Sequence, residues 1–301
     1  MSHWIEEHPG EAVALRASGD MGGPSRSPLS VGSDGDLRLT FTRAGERTVL
    51  ARCRYTLPLQ VLAPVALDDR AAVVSILNPT GGVLGGDRLR IEVHAGPGAH
   101  ACLTTPSATK VYRTAGEAAC QDVRLRLGRG AILEWVPDHT IPFPGSAFRQ
   151  RIDVEVAEGA TLVLVDAFSA GRVTRGEAWR FALLDNMLSI RDDRGWLVRD
   201  RFTLATADGF SWDGPGFAEG CPYFGTVVVV ADAGIDRFVD AIGKIESRGD
   251  VKVAAAPLPR RGGLVRMLAA TAPALTALID EIWAAARRHV LDAPPLALRK
   301  A

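Results

Sequence analysis

Two stretches of the chain and one scattered set of residues hold side chains whose types and spacing could do chemistry. The first is a Gly-rich turn, Thr80-Gly81-Gly82-Val83-Leu84-Gly85-Gly86-Asp87. Gly81 and Gly86 have the glycine spacing of a phosphate-binding G-x-x-x-x-G-K-[ST] loop. Asp87-Arg88 follows where Lys-Ser/Thr belongs, and a carboxylate in the lysine's place repels phosphate. The turn reads instead as a strand connection whose glycines permit positive φ and close packing. The second stretch is Ala167-Phe168-Ser169-Ala170-Gly171, which follows the strand-like run Thr161 to Asp166. It is close to the G-x-S-x-G nucleophile elbow, with Ala at the first position. The elbow needs a helix next, and Arg172 to Glu177 makes a poor amphipathic helix. A serine hydrolase using Ser169 stands as the enzymatic alternative; the plainer reading is a turn between strands. The third candidate is metal handling. The histidines (His3, His8, His94, His100, His139 and His289) form no H-E-x-x-H, and no tight Cys/His cluster occurs, which argues against a preformed high-affinity site. Asp87, Asp138, His139, Asp166 and Glu177 offer scattered oxygen and imidazole ligands. Nickel accepts that mixture, and weak sites release as well as capture. For each acid the plain alternative is an ion pair with a nearby Arg.

The elements that must position these groups are mostly strands. Leu37, Leu39 and Phe41 alternate with polar residues, and Arg47 to Tyr55 is their expected hairpin partner across Ala44-Gly45-Glu46. A weak repeat follows. Leu89, Ile91 and Val93 alternate before Gly98-Ala99; Val123, Leu125 and Leu127 before Gly130-Ala131; Ile152, Val154 and Val156 before Gly159-Ala160. A strand, a Gly turn and a strand recurring about every 30 residues predict stacked β units, each burying its face on its neighbour. The expected fold class is mainly β: a β-solenoid or elongated β-sandwich body with a few C-terminal α-helices. Trp179 to Leu204 adds β pattern around Arg191-Asp192-Asp193-Arg194-Gly195. Helical stripes appear at Ile235, Phe238, Val239, Ile242 and Ile245, and at Leu275, Leu278, Ile279, Ile282 and Ala286. Thr271 and Pro273 are start signals for the second, and Arg287, Arg288 and His289 suit its C-terminal dipole. Residues 1–36, rich in Gly, Ser and Pro, read as a disordered extension. Residues 37–291 read as the folded domain and 292–301 as a tail.

Composition narrows the function class. At 301 residues, 47% hydrophobic and 23% charged, the chain has ample material for a core. Lys+Arg 35 balances Asp+Glu 35, so no global field favours nucleic acid or an anionic membrane. Cys53, Cys102, Cys120 and Cys221 form no C-x-x-C and read as reduced thiols. Met1 to Gly10 lacks the apolar core of a signal peptide, and the aliphatic run Val227 to Val230 is too short to span a bilayer. The expected location is the cytoplasm.

Taken together the motifs resemble the UreD (UreH) family of urease accessory proteins. The resemblance is carried by Asn78-Pro79-Thr80-Gly81-Gly82-Val83-Leu84-Gly85-Gly86-Asp87, by Leu103-Thr104-Thr105-Pro106-Ser107-Ala108-Thr109-Lys110-Val111-Tyr112-Arg113, and by Glu134 to Phe143. Phe168-Ser169-Ala170-Gly171-Arg172 and Arg175-Gly176-Glu177-Ala178-Trp179 continue it in order. It spans about Leu37 to His289 and leaves Met1 to Asp36 outside. It implies a non-catalytic scaffold that bridges apo-urease to UreF, which recruits the nickel-carrying GTPase UreG. It also implies no tightly bound cofactor, transient Ni2+ in a polar passage, and room for a homodimer in the accessory complex. On that reading Asp87, Asp138, His139, Asp166 and Glu177 are candidate passage residues. Thr105, Ser107, Lys110, Tyr112 and Arg113 line an opening or meet a partner, and Lys110 and Arg113, which repel free nickel, suit the partner. A β-solenoid interaction protein without a metal role is the remaining alternative.

Overall fold

A computed structural model describes residues 33–65, 71–206, 212–247 and 249–298. Most of the extension expected at residues 1–36 therefore lies outside the described residues. Strand β1 (Asp34–Ala44) turns at Gly45 into β2 (Arg47–Tyr55), the expected hairpin. The short β3 (Gln60–Val61) and β4 (Ala72–Leu77) lead to the repeating part. There β5 (Arg88–Ala95), β6 (His100–Thr104), β7 (Thr109–Val111), β8 (Ala119–Leu127), β9 (Ile132–Val136), β10 (Thr140–Pro142), β11 (Ala147–Val156) and β12 (Thr161–Ser169) wind as a coil.

Each turn of the coil gives one strand to each of two sheets. In the first, β5, β8 and β11 lie parallel and in register; in the second, β6, β9 and β12 do the same. Parallel stacking sets equivalent side chains above one another, so inward rows run across coils: Leu37, Ile91, Val123, Ile152 and Leu188 form one, and Leu39, Val93, Leu125, Val154 and Ile190 the next. All ten are buried between the sheets. Burial of each such side chain contributes about 1.5–3 kcal/mol. The coil corners repeat too. Gly130 sits at φ +63°, a conformation a β-carbon resists, and Ala131 beside it is fully buried. Ile132 N–H donates to Ala99 O and Thr161 N–H to Ala131 O, both at 2.8 Å, so each corner hydrogen-bonds to the next.

The coil has a third side, made of connectors. Val83 N–H donates to Lys110 O and Tyr112 N–H to Val83 O, each at 2.8 Å. β7 pairs in parallel with β10, and β10 with the end of β12. The strands β13 (Gly171–Arg172) and β14 (Glu177–Ala178) form a small hairpin at the next step, around a single 3-10 turn. Four sequence motifs far apart in the chain are thereby stacked on one side of the molecule. Gly82 must be small here: a β-carbon on it would lie 2.5 Å from the Tyr112 ring.

The hairpin β15 (Leu183–Asp192) and β16 (Gly195–Ala205) closes the first sheet. The second is extended by β17 (Tyr223–Val230), then α1 (Ile235–Gly243), β18 (Val251–Pro257) and β19 (Gly262–Ala269), in the order β12-β17-β19-β18. Every residue of β17 is buried, because the coil core covers one face and α1 and α2 (Ala272–His289) cover the other. Such a strand shows no alternation, so only its aliphatic end stands out in sequence. Both helices follow the expected stripes, and Thr271 Oγ1 accepts from Ala274 N–H as the cap of α2.

Arg287, expected as a cation suited to the helix C-terminal dipole, has a second role. It is fully buried beneath α2, where Nη1 donates to Glu134 Oε1 at 2.5 Å. Glu134, also fully buried, accepts from Trp283 Nε1 at 2.6 Å and from His100 Nε2 at 2.7 Å. Burial pushes the Glu134 carboxyl up, but its His100 bond and the Arg287 charge outweigh that and hold it below the usual range. Arg287 Nε donates to Pro294 O at 2.7 Å, and Leu296 and Leu298 pack on the same core, so the described part of the tail, residues 292–298, is fastened down. Breaking a buried pair by removing one partner leaves an uncompensated charge. Arg287→Ala is expected to lower stability by about 3–5 kcal/mol in urea unfolding, and Arg288→Ala, on the exposed face of the same turn, by under about 0.5 kcal/mol.

Candidate functional site

One row between the sheets is not apolar. Across the first sheet Leu89, Gln121, Gln150, Asn186 and Phe202 are register partners. Their side chains face the core because each lies two residues from an inward apolar position, such as Val123 or Ile152. Opposite, Asp166 on β12 is register partner of Thr226 on β17, which partners Arg266 on β19. The two rows meet. Gln121 Nε2 donates to Gln150 Oε1 at 3.0 Å; Gln150 Nε2 donates to Asp166 Oδ1 at 2.8 Å and Asn186 Oδ1 at 3.1 Å; Asn186 Nδ2 donates to Asp166 Oδ2 at 2.6 Å. Farther along, Arg266 reaches across the sandwich to Asp200 at 2.7 Å and donates to Thr226 Oγ1 at 2.5 Å.

Two cavities flank this network, and Asp166 lines both. One, about 270 Å³, opens among Asn78, Gly81, Ser107, Lys110 and Asp138 and runs inward past Thr105, Gln121 and Gln150 to Asp166. The other, about 820 Å³, lies between the sheets where β16 faces β18 and β19, lined by Asp166, Asp200, Thr226, Arg266 and the rings of Phe168, Phe202, Phe217 and Phe224. Burial pushes the Asp166 carboxyl up to about 6, against the hydrogen bonds from Asn186 and Gln150 that favour its charge. At neutral pH it is largely ionised, and a proton competes with any cation for it as the pH falls toward 6.

The sequence candidates divide accordingly. Asp138 and Asp166 share the smaller cavity with Thr105, Ser107 and Lys110. Thr105 Oγ1 accepts from Asp138 N–H at 2.9 Å and so fixes the Asp138 backbone. Asp87, His139 and Glu177 lie outside the described lining. Asp87 ties the Gly-rich turn, accepting from Leu84 N–H at 2.8 Å, and burial raises its carboxyl above the ordinary range. Asn78 Nδ2 ties the same turn through Gly82 O at 2.9 Å. The turn's N–H groups at Gly81, Val83 and Leu84 are spent on Asn78 O, Lys110 O and the Asp87 carboxylate, which removes a phosphate cradle. His139 stands edge-on to the Tyr223 ring at 5.8 Å. Glu177 holds Arg172 in a two-pronged ion pair at 2.5 and 2.9 Å. Tyr112 and Arg113 stand on the connector side; Tyr112 Oη donates to Gly81 O at 3.2 Å. Among the described residues, no three His, Cys, Asp or Glu gather as a metal cluster. Ser169 is buried, its hydroxyl donates to Gly171 O at 3.0 Å, and β13 rather than an α-helix follows it, so the elbow geometry is missing. Gln121, Gln150, Asn186, Asp200 and Arg266 were not anticipated. The available signal was an amide just before the alternating run at equivalent places in successive coils.

The sequence that builds this two-sheet coil, with its stacked connectors and polar row, matches a known family. The family model described as UreD urease accessory protein matches residues 33–301. The chain belongs to the UreD family of urease accessory proteins. It is 34% identical over 273 residues to urease accessory protein UreD of Alkalilimnicola ehrlichii, covering 90% of this chain and 92% of that one. It is 35% identical to that of Deinococcus radiodurans (91% and 98%) and 33% identical to that of Haloarcula marismortui (92% and 94%). Among the described residues no helix is long and apolar enough to cross a membrane.

The Asp166 environment has a stability signature. The folded protein keeps this proton between pH 3.8 and about 6, where the unfolded chain has lost it. The associated stability is therefore full at low pH and lost as the pH rises through about 6. The stability of Asp166→Asn relative to the parent is expected to shift in the variant's favour by roughly 2 kcal/mol between about pH 4.5 and pH 7.5 in urea unfolding. A margin that stays flat across that range would contradict titration of this group.

Proposed function

We propose that the chain is a scaffold of urease maturation that is required for nickel insertion into apo-urease. In this reading it bridges urease to UreF and the GTPase UreG, and Ni2+ passes as cargo through the polar row between its sheets. Family membership supports the maturation role. The observation that carries the passage is the junction of two cavities at the Asp166 carboxylate. A hydrated divalent ion crossing an apolar sandwich needs polar lining, because stripping its water is costly. Asp138 near the mouth, the amides of Gln121 and Gln150, then Asp166 and Asp200 supply such a lining. Each holds the ion weakly, as a route requires. Lys110 at the mouth repels free cations, so loading falls to a docked partner. GTP hydrolysis belongs to that partner, consistent with a Gly-rich turn whose Gly81, Val83 and Leu84 N–H groups are already bonded. The role of this chain is non-catalytic and needs no resident cofactor.

A structural role is favoured for two of the acids. Asp87 closes the turn and Glu177 neutralises Arg172, so both build the wall rather than the path. The test is activation of apo-urease with nickel, bicarbonate, GTP and the other accessory proteins. Omission of this chain is expected to abolish activation, and equal activation without it would sink the proposal. Asp166→Asn is expected to cut nickel incorporation severalfold while the complex still co-elutes and the variant still unfolds cooperatively. Glu177→Gln is expected to lower stability and nickel incorporation together.

A further inference from the structure

The third side of the coil differs in charge from the paired rows on the outer face of the first sheet. On the outer face of the first sheet, parallel register interleaves acids and bases: Arg38, Glu92 and Arg124 are row neighbours, as are Arg126, Glu155 and Arg191. These rows close as ion pairs, Arg124 to Glu92 at 3.4 Å and Arg126 to Glu155 at 3.5 Å among them. On the connector side, Lys110, Arg113 and Arg180 are exposed and form no ion pair among the described residues. They belong to one stacked patch. Lys110 is the register partner of Ile141. The Arg113 stem lies against Gly145, whose N–H donates to Arg180 O at 2.7 Å. The nearby acids are already engaged: Glu117 with Arg88 at 2.7 Å, Glu177 with Arg172, and Asp87 with its own turn. Running along the same side, Tyr112 meets Phe143 edge-on at 5.0 Å, and the Arg172 guanidinium caps the Phe143 ring at 4.4 Å.

We propose that this side docks an acidic protein segment, its carboxylates on Lys110, Arg113 and Arg180 and its apolar groups along the half-buried Tyr112–Phe143 pair. The proposal rests on the scaffold reading and names the chemistry of one partner surface. Uncompensated cations in a molecule of zero net charge set the sign of the complement. The rings set its class. Tyr112 is backed by Gly82, and Phe143 is covered by Arg172, so neither offers the open face on which a nucleobase stacks. Three cations are also few for a phosphate backbone, where about 6–10 contacts are usual.

The test is fluorescence anisotropy of the full chain with a labelled Asp/Glu-rich peptide of about twelve residues containing two leucines, at about 50 and 300 mM salt. Saturable binding that weakens with salt is expected. The triple variant Lys110→Glu, Arg113→Glu, Arg180→Glu is expected to lose at least about tenfold in affinity with an unchanged unfolding midpoint. Arg90→Glu, on the outer face of the first sheet, is expected to bind as the parent does. The proposal is overturned if the triple variant retains affinity, if Arg90→Glu costs as much, or if a short DNA duplex binds more tightly than the peptide. Failure of the parent chain to bind the peptide while it still supports apo-urease activation would remove the docking surface and leave the scaffold reading intact. Binding without activation would do the reverse.

Discussion

Parallel strands stacked in register repeat their side chains, and that constraint governs this molecule. A residue that points inward in one coil has its equivalent directly above it in the next. Where the equivalents are Leu37, Ile91, Val123, Ile152 and Leu188, the result is a continuous apolar row. Where they are Gln121, Gln150 and Asn186, the same rule builds a polar row in the middle of the sandwich. A single buried amide would be costly. Stacked amides satisfy one another and turn their spare donors to Asp166, which is why a carboxylate can stand between two sheets at all. The outer face obeys the same rule with charges, and the connector side with turns.

Much of the architecture was legible because the rule leaves a period. The recurrent Gly-Ala corners and the alternating runs before them mark the coils, and the stripes of α1 and α2 are plain. The rest was hidden for definite reasons. β17 is covered on both faces, so Tyr223 to Val230 lacks the alternation that identifies a strand. Arg287 has the composition of a helix-end cation, and only the fold places Glu134 beneath it. At the site, Asp87 and Glu177 stand in motifs and drew notice, yet each is consumed by local geometry. Gln121, Gln150 and Asn186 drew none, because amides next to alternating runs look like surface positions until the register of the coils is known. Asp166 lies just outside a motif and lines both cavities.

The two polar centres of the second sheet differ in kind. Glu134 on one face is ionised and closed in, with donors from His100, Trp283 and Arg287 using its oxygens. Asp166 on the other face is held by neutral amides, retains its proton to about pH 6 and borders open volume on both sides. The first arrangement fastens a helix; the second leaves a group able to exchange what it binds. Both depend on strands whose register is set by the apolar rows around them.

The Glu134 centre also orders events on the ribosome. The coils add one after another as the chain emerges, each finding its template already formed. Glu134 and His100 are in place early, but Trp283 and Arg287 lie 149 and 153 residues downstream of Glu134. Until synthesis is nearly complete, the outer face of the second sheet is uncovered and a carboxylate destined for the interior stands without its cation. A nascent or truncated chain therefore differs from the finished protein in presenting the apolar outer face of the second sheet, with Glu134 lacking its cation.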